Sequence, residues 1–184
     1  MKDKLTWKEE NRKTVFTCPI LRVSESYCRS PFDDHKNFNV IETNDWAMVV
    51  PALETSRGRE YLMVRQWRHG AMEMSLEFPG GVINSGEDAI TAARRELGEE
   101  TGYTAGTLKQ LGVFNPNPAI MSNHIYFFSA TDLLLLQKQK LDEDEFVEVE
   151  LVPEKVLLDG LGKPPFIHAL IATAIALAQN VTLR

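Results

Sequence analysis

The sequence is short of several things, and each shortage removes a class of protein. It holds only two cysteines, Cys18 and Cys28, with no CxxC pattern and no histidine at zinc-ligand spacing. They read as two reduced thiols, which excludes a disulfide scaffold and a zinc finger. It has no excess of positive charge: 20 Lys and Arg stand against 26 Asp and Glu, a net charge of −6. That balance argues against nucleic acid as a partner, because broad phosphate neutralisation needs a basic surface. A local basic pocket for one small anion remains compatible with it. No charge-free apolar run is long enough to cross a bilayer; the most hydrophobic stretch, "FIHALIATAIALAQN", is too short and carries His168. No secretory signal pattern opens the chain, so a cytoplasmic location and no membrane partner are expected. Repeats and low-complexity tracts are also missing. What is left, 184 residues with 43% hydrophobic and 25% charged, is enough for one globular core with a small extension.

Strand patterns dominate the first two thirds. "TVFTCPILRVSESYC" reads as one or two strands, followed by turn formers in "RSPFDDHKN". "DWAMVVPALE" and "EYLMVRQWRH" are strands joined by a hairpin turn at "TSRGR", and "SLEFPGGVINSGED" is a strand running into a Pro-Gly-Gly loop. A helix should begin near Asp88, capped by Ser85 or Asp88, and stop at Gly102. "TLKQLGVF" and "HIYFFSATDL" are further strands, and "EFVEVELV" alternates Val147, Val149 and Leu151 against Glu148 and Glu150 as a half-buried strand would. Past Pro164 and Pro165, whose rings suit a first turn, a buried helix closes the chain. A mixed sheet with helices on its faces is the expected α+β architecture.

The stretch "ARRELGEETGY", residues 93–103, crowds Glu96, Glu99 and Glu100 into one and a half helical turns. At 100° per residue Ala89, Ile90, Ala93 and Leu97 form an apolar stripe that should face the sheet. Glu100 falls inside that stripe and Glu96 at its edge, where a solvated charge run would not put them. Carboxylates gathered in a partly dry cleft repel one another and lose hydration, which costs several kcal/mol unless positive charge compensates. Arg94 and Arg95 supply part of it. An all-oxygen ligand set favours a hard divalent ion, Mg²⁺ or Mn²⁺, for the rest.

Reading outward from this helix, Gly81, Glu87, Arg95, Glu96, Leu97, Glu99, Glu100 and Gly102 stand at the spacing GX5EX7REUXEEXGU. This resembles the signature of the Nudix hydrolases, with Tyr103 in place of the usual aliphatic at the last position. Seven fixed letters coincide, which chance would produce on the order of once in a million such chains. The resemblance implies a Nudix α/β/α sandwich with a mixed central sheet and an N-terminal β extension. It divides the chain into residues 1–41, a dimerisation extension, and residues 42–184, the hydrolase domain. The implied reaction is Mg²⁺-dependent attack of water on a nucleoside diphosphate linked to another moiety. By the same resemblance Glu96 and Glu100 are direct metal ligands, Glu99 a direct or water-mediated one, and the carbonyl of Gly80 completes the shell. Glu87 and Arg95 then form a structural ion pair, while Gly81, Gly86 and Gly102 permit tight turns and close approach.

The flanks resemble the ADP-ribose and nucleotide-sugar pyrophosphatase branch. "VRQWRHG" ahead of "LEFPGG" matches that branch, and implies that Arg68 holds the substrate diphosphate. "FNPNPAIMSN" places Pro118 fifteen residues after the box, with Asn-Pro-Ala where that branch usually has Ser-Pro-Gly. The acidic segment "DEDEFVEVELV" matches its acidic loop, making Glu145 a further ligand or the base that activates water, with Glu143 second. By the same resemblance the extension lends an aromatic to the nucleotide base held by the partner subunit; Phe38 and Trp46 are candidates for this role, or else are core residues. His35, His69, His124 and His168 receive no role. The expected protein is a homodimer that cleaves ADP-ribose-like compounds to a nucleoside monophosphate and a sugar phosphate. The rival readings are a hydrolase of another capped diphosphate, such as an RNA 5′ end, a dinucleoside polyphosphate or coenzyme A, and a non-catalytic nucleotide-sugar sensor.

Overall fold

The computed structural model describes residues 4–141 and 145–182. The backbone forms two compact units. The first comprises the chain up to Asp45 together with Asn115–His124; the second comprises Trp46–Phe114 and the chain from Ile125 on.

In the first unit β1 (Lys8–Thr17), β2 (Arg22–Arg29) and β3 (His35–Glu42) make an antiparallel sheet in that order. β3 goes beyond the sequence expectation, because "KNFNVIE" follows a run of turn formers and lacks clear alternation. Its covered side is polar: Ser24 and Ser26 are buried on β2, and Arg12 bridges Glu9 and Glu42 across the strands. The 115–124 segment joins this sheet through Ile41, whose N–H donates to Ile120 O at 2.7 Å and whose carbonyl accepts from Ser122 N at 3.1 Å.

The second unit holds β4 (Trp46–Thr55), β5 (Gly58–Arg68), β6 (Glu73–Glu77), β7 (Gly80–Val82), β8 (Tyr103–Phe114), β9 (Ile125–Leu135) and β10 (Glu148–Pro153). Their main order is β10-β5-β4-β9-β8, mixed because β4 and β9 run parallel. β4 and β5 pair only from Ala52 to Thr55, next to the hairpin. Beyond that they part like a fork, and β6 takes the freed edge of β5 while β7 takes that of β4. The Pro-Gly-Gly segment, expected to be loop, is therefore partly strand.

Helices cover both faces of this sheet, so alternate residues of β4 enter different cores. Ala47 and Val49 pack with Ala92, Ala93, Leu97 and Phe128 under α1 (Ala89–Thr101). Met48 and Val50 pack with Tyr61, Met63, Phe127, Leu157, Ile171 and Ile175 under α2 (Glu154–Gly160) and α3 (Ala169–Thr182). The sandwich of mixed sheet and flanking helices is the architecture expected.

Three local expectations need correction. Ile90 lies largely exposed and Ala92 takes its place in the buried stripe, because the face that meets the sheet runs through Ala89, Ala92, Ala93 and Leu97 and leaves Ile90 at its rim. On β10 it is Val152 that is buried while Leu151 is exposed; the strand is a sheet edge, and Glu150 turns inward to pair with Arg65. Pro164 and Pro165 precede α3 by several residues instead of forming its first turn. There Pro165 O accepts from Leu76 N at 2.9 Å, so the segment extends the pairing of β6. Seven-residue α2 was too short to show a helical period.

Candidate active site

The floor of the site is the fork itself. Gly80 and Gly81 lie on β7 against Met48 and Ala47 of β4, and Val49 N donates to Pro79 O at 2.9 Å. A Cβ on Gly80 would overlap Ala47 O and stand 2.8 Å from Met48 Cα; one on Gly81 would stand 2.7 Å from Glu96 Oε1. Only glycine lets the strand approach its neighbour and the helix together.

α1 supplies the acids. Asp88 caps it, accepting from Thr91 N at 2.8 Å, and Gly102 ends it in a left-handed conformation with φ of 76°. Between these stops the helix phase turns Glu100 inward, where it is 4% exposed, and leaves Glu96 mostly buried and Glu99 half-buried. Glu100 Oε2 accepts from Gly80 N at 2.8 Å. Burial pushes its carboxyl up to about 8, and the charges of Glu96 and Glu145 add to that, while Gly80 N–H and Arg68 pull it down. Burial likewise raises Glu96, with Glu99 and Glu145 contributing and Arg95 opposing. These two groups need positive charge that the protein only partly provides.

Arg95 is the main local source. Its Nε and Nη2 contact Glu87 at 3.0 and 2.9 Å, its Nη1 contacts Glu96 at 2.7 Å and Glu99 at 3.0 Å, and Nη2 also donates to Val82 O. The Glu87–Arg95 pair implied by the resemblance is thus part of a wider brace that ties the β7–α1 loop to the helix. Among the described residues, no three His, Cys, Asp or Glu side chains form a ready-made metal cage. Glu96 is drawn to Arg95 and Glu100 to the Gly80 amide. The donor set still suits a divalent cation. A carboxyl buried to 4% exposure with one backbone N–H donor ionises readily only where further positive charge is supplied, and hard-oxygen ligands from adjacent turns are what a divalent ion takes.

Arg68, at the end of β5, presents a half-exposed guanidinium whose field reaches Glu100. Glu145 is exposed at its backbone position ahead of β10, yet its charge reaches Glu96 and Glu100. The loop bearing it is tied to the end of α1: Lys140 N donates to Glu99 O at 2.8 Å, and Gln139 Nε2 reaches Glu100 O at 2.6 Å and Val147 O at 3.2 Å. Glu143 lies outside the described residues. Trp46 opens β4, half-buried against the core under α3, and Phe38 on β3 meets Trp7 edge-to-face at 5.1 Å. Gly80, Glu96, Glu99, Glu100, Arg68 and Glu145 therefore surround one region of the second unit, whereas Phe38 belongs to the first unit. Two residues escaped the sequence reading. Glu77 pairs with Arg68, and the signal was its place in "LEFPGG"; Gln139 had none, since its role depends on a fold-back.

Comparison with known proteins follows the same lines. A family model described as the NUDIX domain matches residues 44–170. An ADP-ribose pyrophosphatase of Bacillus subtilis (strain 168) is 39% identical over 101 residues, 54% of this chain and 55% of that protein. An ADP-ribose pyrophosphatase of Saccharomyces cerevisiae is 38% identical over 114 residues, 56% of this chain and 49% of that protein. The chain thus spans about half the length of these relatives. A crystal structure titled as an ADP compounds hydrolase superposes with a TM-score of 0.85 at 24% identity, covering 98% of this chain and 96% of that one, a likeness of fold.

Proposed function

Because the chain belongs to the Nudix family, we propose that it hydrolyses the diphosphate bond of nucleoside diphosphate sugars such as ADP-ribose, giving a nucleoside monophosphate and a sugar phosphate. The observation that carries this reading is the convergence of buried Glu100 and mostly buried Glu96 on the Gly80–Gly81 strand, with Arg68 beside them. The names of the two pyrophosphatases support the substrate class.

In this reading Glu96, Glu99, Glu100 and the Gly80 carbonyl hold Mg²⁺, or Mn²⁺ in its place, with Glu145 adjoining. Bound there, the cation offsets the diphosphate charge and lowers the pKa of the attacking water. Arg68 grips the diphosphate oxygens through charge-assisted hydrogen bonds. Water attacks one phosphorus, the bond from that phosphorus to the bridging oxygen breaks, and a carboxylate, Glu145 or Glu99, takes the water's proton. Arg95 and Glu87 keep the helix and its loop in register. Phe38 and Trp46 are proposed to contact the base bound by the partner subunit. The active species is a homodimer assembled through residues 1–41, in the cytoplasm, where the free thiols of Cys18 and Cys28 stay reduced. Among the described residues no helix is long and apolar enough to cross a membrane.

The test is a substrate panel with Mg²⁺, scored by kcat/KM over ADP-ribose, other nucleotide sugars, capped RNA and dinucleoside polyphosphates. ADP-ribose leading the panel, with turnover lost on chelation and in Glu100→Gln, supports the reading. ADP-ribose falling far below capped RNA refutes the substrate, and full activity in Glu100→Gln refutes the site. Light scattering at micromolar concentration checks the dimer.

A further inference from the structure

Arg68 is held in an unusual way. Its Nε lies 2.9 Å from Glu77 Oε1 and its Nη2 2.7 Å from Glu77 Oε2, a two-point fork. About two fifths of the Arg68 side chain is exposed, whereas Glu77 is 1% exposed. The acid is sealed in the interior while the base reaches the surface. A buried carboxylate is expensive, and an apolar residue at that position would serve stability as well or better. Glu77 nonetheless stays charged: burial alone would raise its carboxyl, and the Arg68 hydrogen bonds more than offset this.

The geometry explains what the arrangement does for the arginine. β5 and β6 pair antiparallel from Val64↔Glu77 to Arg68↔Glu73, so both residues stand on sheet backbone in fixed register. β6 is tied on its other side by the Leu76–Pro165 hydrogen bond. His168, in the segment entering α3, lies within the field of both partners and accepts from Leu170 N at 3.2 Å. The fork uses Nε and Nη2 and leaves Nη1 outside the pair, with the guanidinium plane already fixed. A free arginine gives up much of its rotamer freedom when it is immobilised on an anion. Here that ordering is done before substrate arrives.

We infer that Glu77 is a positioning residue, which pre-sets the Arg68 guanidinium to grip the diphosphate group of the substrate. The inference rests on the nucleotide-sugar reading above, and it adds a specific dependence: Glu77 acts only through Arg68.

A double-mutant cycle measures that dependence. Binding of ADP-ribose to the full chain in EDTA is followed by calorimetry for the wild type, Glu77→Gln, Arg68→Ala and the double variant, with thermal melts in parallel. Loss of a charge-assisted fork weakens binding by about 10- to 100-fold. Glu77→Gln should lose about that much by itself and nothing further in the Arg68→Ala background. Arg68→Lys, which keeps the charge without the fork, should resemble Glu77→Gln. If Glu77→Gln fails to fold, Glu77→Asp, with its carboxylate drawn back by one methylene, carries the same cycle. Three results overturn the inference: wild-type affinity in the Glu77 variant, an equal loss with and without Arg68, or no binding of ADP-ribose by the wild type. Intact binding and an intact cycle without any Mg²⁺-dependent hydrolysis would sink the enzymatic reading alone.

Discussion

Gly80 and Gly81 are neighbours on one strand, yet the same replacement by alanine should do opposite things. A Cβ on Gly80 meets backbone: it overlaps Ala47 O and stands 2.8 Å from Met48 Cα. Nothing there can swing aside, so β7 must leave β4 or β4 must bend. Overpacking of this kind costs about 1–3 kcal/mol, and at about 2–4 °C per kcal/mol for a chain of this size the melting temperature should fall by roughly 2–12 °C. A Cβ on Gly81 meets a carboxylate instead, 2.7 Å from Glu96 Oε1, 2.8 Å from Cδ and 2.9 Å from Oε2. That group is the end of a flexible side chain and must retreat by roughly 0.7 Å to recover ordinary contact. The fold should tolerate this, but a ligand displaced by about that much loses its working geometry, and misplacements near 1 Å cost about a hundredfold in rate. Gly81→Ala should therefore melt close to the wild type while its kcat/KM for ADP-ribose drops by about 10- to 100-fold. Thermal melts and steady-state kinetics on the two variants decide the matter. Equal melting losses for both, or an active Gly81→Ala, would show that Glu96 does not occupy the working position.

Two further perturbations probe the charges. Glu100 retains its proton in the folded chain up to about pH 8 but releases it near 4.5 when unfolded, so the stability it contributes falls as pH rises between those values. In EDTA, Glu100→Gln should melt higher than the wild type near about pH 9, with the gap closing toward about pH 5; a constant gap would contradict the burial of its charge. Arg95→Lys keeps one positive charge but cannot span Glu87, Glu96 and Glu99 at once. It should lower stability by about 1–3 kcal/mol in denaturant titrations and weaken Mg²⁺-dependent turnover, and an unchanged midpoint would refute the brace.

How much of this was readable from the sequence varies with the range of the forces involved. The limits of α1 were, because Asp88 and Gly102 act within one turn of the helix they bound. So was the inward turn of Glu100, which follows from helical phase once Leu97 and Ala93 are taken as core. Phase alone does not separate covered from exposed positions at the rim of such a stripe, so Ile90 was misplaced. β3 was missed because its residues lack apolar alternation and its partner is polar β2. β7 was missed because glycines carry no pattern; it is a strand only because β4 and β5 diverge and leave an edge free. The support of Arg68 by Glu77 depends on register between two strands, and that of the Glu145 loop by Gln139 on a chain that doubles back to the helix end.

The fork between β4 and β5 has a consequence for how such a protein can vary. The glycine segment that meets the acids is stitched by backbone pairing into the sheet whose two sides form both hydrophobic cores. It cannot be lengthened, shortened or retuned without unzipping the scaffold. Diversity in what the molecule accepts has to arise in connections that carry no such pairing. Insertions tolerated there and refused at residues 79–81 are the pattern that a rigid hearth with exchangeable walls would leave in a mutational scan.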